Sequence, residues 1–108
     1  IVDADIDDDA ETLLISYGVT AGSMREAVAA ARAEGTKVSS LTIQSLWPVP
    51  EAHIHAAAIG VSRVVVAELN PGLYTREIER VLPHVEILSI ARTDGVLITP
   101  DQLQEVVI

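Results

Sequence analysis

Arg63-Val64-Val65-Val66-Ala67-Glu68-Leu69 is the most strand-like run in this chain, and its reading decides the fold. Three consecutive valines are β-branched and stiff at χ1, so they favour extended backbone over helix. A run that is apolar at successive positions, rather than at alternate ones, suits a strand covered on both faces. Asn70-Pro71-Gly72 then turns the chain.

The same strand-then-helix alternation repeats on either side. Upstream, Thr12 to Tyr17 (TLLISY) is a short apolar run ended by Gly18, which predicts a buried strand. Thr20 to Glu34 sets Ala21, Met24, Val28 and Ala31 on one helical face, and Gly35 stops that helix. Lys37 to Ile43 reads as a second strand. Pro48 and Pro50 bracket the start of a shorter helix over Glu51 to Ile59, with Gly60 near its end. Downstream, Tyr74, Ile78, Val81 and Leu82 line one side of a further helix, and Val85 to Ala91 is another strand. Pro100 to Val107 reads as a terminal helix with Thr99 placed to cap it.

This order predicts an α/β fold of three layers: an open, mostly parallel sheet with helices on both faces. Right-handed crossovers place the strand ends carrying Gly18, Trp47 and Asn70 along one edge, where such domains make their contacts. Composition agrees. Hydrophobic residues make up 49% of the chain but aromatics only 3%, so the core is filled by Val, Ile, Leu and Ala.

Asp3, Asp5, Asp7, Asp8, Asp9 and Glu11 supply six of the sixteen acidic residues and most of the net charge of −9. Residues 1–11 therefore read as an acidic, solvated linker at the start of a fragment, and residues 12–108 as the folded domain. The alternating Asp3, Asp5 and Asp7 resemble a calcium loop, but the required Gly and bidentate Glu positions hold Asp8 and Leu14. No basic stripe suits a phosphate backbone, which argues against nucleic acid as a partner. No run approaches the roughly 20 apolar residues of a membrane span. The absence of Cys rules out disulfides and thiolate-held metals within these residues and fits a cytoplasmic protein.

No catalytic set stands out. Gly18-Val19-Thr20-Ala21-Gly22-Ser23 sits between a strand and a helix but lacks the dinucleotide and P-loop markers, so a tight turn is the simpler reading. His53 and His55, two apart on a helix, point in different directions and could not grip one ion. Glu68 is the carboxylate to single out, since it ends an apolar strand beside a turn. It either serves a site at the sheet edge or bonds the following turn and helix. Trp47, between Leu46 and Pro48-Val49-Pro50, is either a rigid apolar contact point or folds back over its own core; the two are compatible. Gly18, Trp47, Glu68 and Asn70 are thus candidate interface residues, with no catalytic, cofactor-binding or metal residue assigned.

Several segments together resemble the C-terminal, transketolase-like domain of 2-oxoacid:ferredoxin oxidoreductase α subunits. They are Leu14 to Gly18, Met24 to Val28, Gly35 to Val38, Ala67 to Gly72, Arg92 to Gly95 and Ile98 to Asp101. Leu46-Trp47-Pro48-Val49-Pro50-Glu51 is the most specific of them, similar to the family's Leu-Trp-Pro-Phe-Pro element. Leu73 stands where the family often carries Gln, so any interface hydrogen bond from that Gln is absent or altered here.

The resemblance implies a role within a larger enzyme. Such enzymes oxidatively decarboxylate a 2-oxoacid such as 2-oxoglutarate or pyruvate on thiamine diphosphate with magnesium. Electrons pass through iron–sulfur clusters to ferredoxin, and an acyl-CoA is released. The resemblance places those groups elsewhere in a multisubunit complex. This domain would be a structural, interface part, with the rest of the α subunit and the β subunit as its partners. Two alternatives stand beside it: the matching domain of a transketolase or 2-oxoacid dehydrogenase β subunit, and a stand-alone flavodoxin-like binding module.

Overall fold

The computed structural model describes residues 2–18, 20–68, 73–91, 100, 102 and 103. Among these the chain forms β1 (Val2–Asp5), β2 (Thr12–Tyr17), α1 (Thr20–Ala33), β3 (Val38–Ile43), α2 (Glu51–Ala57), β4 (Arg63–Glu68), α3 (Thr75–Val81) and β5 (Glu86–Ala91). The sheet order is β1-β3-β2-β4-β5. β1 runs antiparallel to β3, and the other pairs are parallel.

The valine run does what its sequence predicts. Val64 and Val66 enter one apolar cluster with Leu13, Ile15, Ile54 and Ile78, which joins the sheet to α2 and α3. Val65 and Ala67 enter a second with Leu14, Met24, Val28 and Ala31, which joins the sheet to α1. Alternate side chains of one strand thus fill both cores, and all four of these β4 residues are fully buried. Each buried Val or Leu contributes about 1.5–3 kcal/mol.

Helix α1 ends as Gly35 requires. Gly35 adopts φ 88°, its N–H donates to the Arg32 carbonyl, and the Thr36 N–H reaches back to the Ala31 carbonyl. This paired pattern satisfies the last carbonyls of the helix, and the left-handed conformation it needs is one a Cβ disfavours.

The acidic segment differs from the linker expected. Val2–Asp5 forms an edge strand, with Val2 opposite Ile43 and Asp5 opposite Ser40. Val2 packs on the α2/α3 cluster, while the guanidinium of Arg32, in the last turn of α1, lies 3.0 Å from Asp5 and 3.4 Å from Asp7. Charge density argued for solvation, but the β3 backbone supplies the hydrogen bonds and Arg32 the counter-charge. An edge strand bearing carboxylates also resists pairing with another chain. The terminal helix expected over residues 100–107, with its Thr99 cap, lies largely outside the described residues. Leu103, which is described, is buried in the cluster with α1.

Candidate functional site at the carboxyl edge of the sheet

β2 and β4 are neighbours, yet the helices that follow them pack on opposite faces of the sheet. In open α/β sheets such a reversal of winding marks the crevice where contacts form. Tyr17 closes β2 and Glu68 closes β4, so both stand at this point.

Glu68 is fully buried. Its Oε1 accepts hydrogen bonds from the Tyr17 hydroxyl and the Tyr74 backbone N–H, each at 2.9 Å. Its Oε2 accepts from the Thr75 N–H at 3.1 Å and the Thr75 hydroxyl at 2.6 Å. Ser89 Oγ of β5 lies 3.2 Å from Thr75 Oγ1 and extends the network across the sheet. A bare carboxylate in this position would carry a desolvation cost of several kcal/mol. Four donors offset it, and two of them are the amides of Tyr74, which caps α3, and of Thr75, its first residue, which lack partners within the helix. Glu68 therefore ties the end of β4 to the start of α3, the second of the two roles its sequence position allowed.

Three aromatic rings, those of Tyr17, Tyr74 and Trp47, pack one against the next at this edge. Tyr17 meets Tyr74 edge-on with centroids 5.7 Å apart, and Trp47 meets Tyr74 edge-on at 5.8 Å. Such contacts contribute about 0.5–1.5 kcal/mol each beyond the area they bury. The Tyr74 hydroxyl donates to the Leu46 carbonyl at 3.3 Å, which fixes the backbone before Trp47. Burial, then the hydrogen bond and charge of Glu68, raise the Tyr17 phenol above its ordinary value. Burial, then the charge of Glu77, push Tyr74 up to about 12. Both phenols thus stay protonated and act as hydrogen-bond donors.

Outside this platform, Trp47 is 57% exposed and Leu73 54% exposed. One edge of Trp47 rests on Tyr74, and the remainder is open. Gly18 turns the chain after β2 with φ 62°, and its carbonyl accepts the Ala21 N–H at 3.1 Å. Gly18, Trp47 and Glu68 thus follow or end neighbouring strands at one edge. Asn70, the fourth candidate, lies outside the described residues.

Sequence reasoning missed Tyr17, Tyr74 and Thr75 as parts of the network. The available signal was a Thr at the start of a helix seven residues after a strand-ending Glu, spaced for a return across one turn. Among the described residues no group of three or more His, Cys, Asp or Glu side chains could hold a metal ion. The donors here do not fit the magnesium or cluster ligation implied for the parent enzyme. No described helix is long and apolar enough to cross a membrane.

Known proteins share both sequence and fold with this chain. It is 34% identical over 97 residues to the 2-oxoglutarate synthase subunit KorA of Methanothermobacter marburgensis, covering 89% of this chain and 26% of that protein. It is 33% identical over 106 residues to the 2-oxoglutarate oxidoreductase subunit KorA of Mycobacterium tuberculosis, covering 95% of this chain and 16% of that one. The chain thus spans about a quarter or less of these two relatives. Among solved structures, it superposes on the 2-oxoglutarate:ferredoxin oxidoreductase of Magnetococcus marinus with a TM-score of 0.84 at 25% identity, over 99% of this chain and 19% of that one. That structure holds 2-oxoglutarate, coenzyme A and succinyl-CoA. A split-gene transketolase matches at TM-score 0.81 but 18% identity, over 97% of this chain and 40% of that one, a likeness of fold alone. The family described as pyruvate:ferredoxin oxidoreductase core domain II matches residues 10–103. With nearly the whole folded chain inside that match, this protein belongs to the pyruvate:ferredoxin oxidoreductase core domain II family.

Proposed function

We propose that this chain is the core-domain-II part of the α subunit of a 2-oxoacid:ferredoxin oxidoreductase, and that its carboxyl edge is a structural contact with the rest of that enzyme. One observation carries the reading. The donors found to Glu68 come from its own fold, while Trp47 and Leu73 beside it stand more than half exposed. The carboxylate stiffens a platform, and the platform presents apolar side chains outward. Aromatic anchors on rigid supports suit protein contacts because little conformational entropy is lost when they dock.

In the parent enzyme a 2-oxoacid loses its carboxylate as carbon dioxide, its acyl group passes to coenzyme A, and the released electrons reach ferredoxin. Thiamine diphosphate with magnesium, and the iron–sulfur clusters, belong in this reading to other domains or subunits. Relatives named for 2-oxoglutarate, ketoisovalerate and pyruvate all match, so the reading names the 2-oxoacid class. Gly18, which follows β2, is assigned to the same contact, as is Asn70, two residues beyond Glu68 in the sequence.

The test is viologen-dye reduction by the intact parent complex, supplied with coenzyme A and, in turn, pyruvate, 2-oxoglutarate and branched-chain 2-oxoacids. Activity on one acid is expected, with a Trp47→Ala, Leu73→Ser variant losing activity in step with its subunit assembly on size exclusion. An inactive complex that retains thiamine and intact clusters overturns the enzymatic assignment. A fully assembled, fully active double variant overturns the contact.

A further inference from the structure

At the opposite, amino edge of the sheet the surface changes character. A groove of about 780 Å³ lies between the segment from Ile6 to Glu11 and the end of α2. Ile59 is 81% exposed and Ile6 51% exposed, and both line it, with the buried methyls of Ala10 and Ala57 also in its wall. Exposed apolar side chains gathered in one groove mark an interaction site more than ones scattered singly. Ile59 stands between the end of α2 and Gly60, whose φ of 77° turns the chain away.

The groove is also negative. Asp7, Asp8, Asp9 and Glu11 line it. Arg32 holds Asp7, and Lys37 lies 3.7 Å from Asp9. Among the described residues Asp8 and Glu11 have no ion-pair partner within salt-bridge distance, and both are exposed. We infer that this groove docks a basic, amphipathic segment of a separate polypeptide, one that seats an apolar side chain between Ile6 and Ile59 and sets Lys or Arg against Asp8 and Glu11.

Charge selects that occupant. A second copy would bring a net charge of −9 against the same acidic rim, and anionic lipid or nucleic acid would be repelled. Polarity selects a separable partner. Permanent interfaces are apolar and depleted of charge at their centres, whereas this groove carries carboxylates around a small apolar floor. Such a contact forms quickly by electrostatic steering and weakens with salt. It is independent of the carboxyl-edge contact, from which the sheet separates it.

The test uses the full-length parent chain in its purified complex and a fluorescent synthetic peptide carrying a leucine pair between lysines. Control peptides replace the lysines by glutamate or the leucines by serine. Binding is read by fluorescence anisotropy at low and at physiological salt. The Lys/Leu peptide is expected to bind, more tightly at low salt, and both controls to fail. Ile59→Ser should weaken binding by about fivefold, as the loss of one apolar contact implies. The pair Asp8→Asn with Glu11→Gln should weaken it similarly and flatten its salt dependence. Glu26→Gln, a charge removed from the exposed face of α1, should leave it unchanged. The inference is overturned if no peptide binds, if the serine control binds as well as the leucine peptide, or if Ile59→Ser has no effect. Ile59 and the two acids are exposed, so these variants retain the fold, which circular dichroism checks.

Discussion

Replacing Glu68 by Gln tests the network at the carboxyl edge most directly. The substitution preserves size but turns one acceptor oxygen into an NH2 donor. Placed at the Oε1 position, that NH2 faces the Tyr74 N–H; placed at Oε2, it faces the Thr75 N–H. The Tyr17 and Thr75 hydroxyls can rotate to accept from it, but a backbone amide cannot. At least one buried N–H therefore loses its acceptor, at about 1–3 kcal/mol, and the remaining bonds lose their charge assistance. Relief from burying a charge returns part of this, so a net loss of about 2 kcal/mol is expected. Tyr17→Phe removes one donor to a charged acceptor and should cost about 1.5 kcal/mol with Glu68 in place. In the Glu68→Gln background that hydroxyl meets an uncharged amide in place of a carboxylate, so the second change should cost only about 0.5 kcal/mol. The assay is equilibrium urea unfolding of the four proteins in this cycle, followed by far-ultraviolet circular dichroism. A coupling of about 1 kcal/mol is the expected result. Effects that add to within about 0.3 kcal/mol, or a Glu68→Gln protein as stable as the parent sequence, would refute the claim that these bonds act on one buried carboxylate.

Further outcomes follow from the same geometry. Tyr17 and Tyr74 both have phenols raised by folding, so the native state holds protons that the unfolded chain releases from near pH 10. Stability should be unaffected below that value and fall as pH rises above it, the Tyr74 share of the loss levelling off only near pH 12; urea midpoints across this range check the direction, and Tyr17→Phe should shallow the fall. Arg32→Ala removes the guanidinium that contacts Asp5 and Asp7 and that donates to the Val38 carbonyl. Its main effect should be local: amides of β1 exchange faster by hydrogen–deuterium exchange, while global stability falls by about 1 kcal/mol. At Gly18 there is room for a methyl group but φ is 62°, so Gly18→Ala should cost about 1–2 kcal/mol through backbone strain, with Gly18→Asn milder in the same thermal melt.

Most of the elements were legible because each is set by local pattern. The valine run, the TLLISY run and the 3.6-residue spacing from Ala21 to Ala31 specify strand or helix through side-chain branching and periodicity. The helix after Thr20 stops where Gly35 permits a left-handed turn. Trp47 and Glu68 stood out too, since each interrupts an expected pattern: an aromatic in a loop, and a carboxylate at the end of an apolar strand. The edge strand Val2–Asp5 was not. Its pairing with β3 joins residues about 40 positions apart, and loop closure over that length leaves no trace in local composition. Its carboxylates suggested solvation because Arg32, their counter-charge, sits a full helix away in sequence.

By itself, then, the sequence determined the α/β class, the order of the parallel strands' covering helices, the Val, Ile, Leu and Ala core, and the residues that carry the family resemblance. These depend on short-range periodicity and on motifs that survive as contiguous text. Only the tertiary structure decided that Tyr17, Tyr74 and Thr75 converge on Glu68, that Trp47 rests one edge on Tyr74, and that Ile6 and Ile59 face one acidic groove. Each joins side chains from separate elements, and such meetings are fixed by strand order and register, which no local pattern encodes.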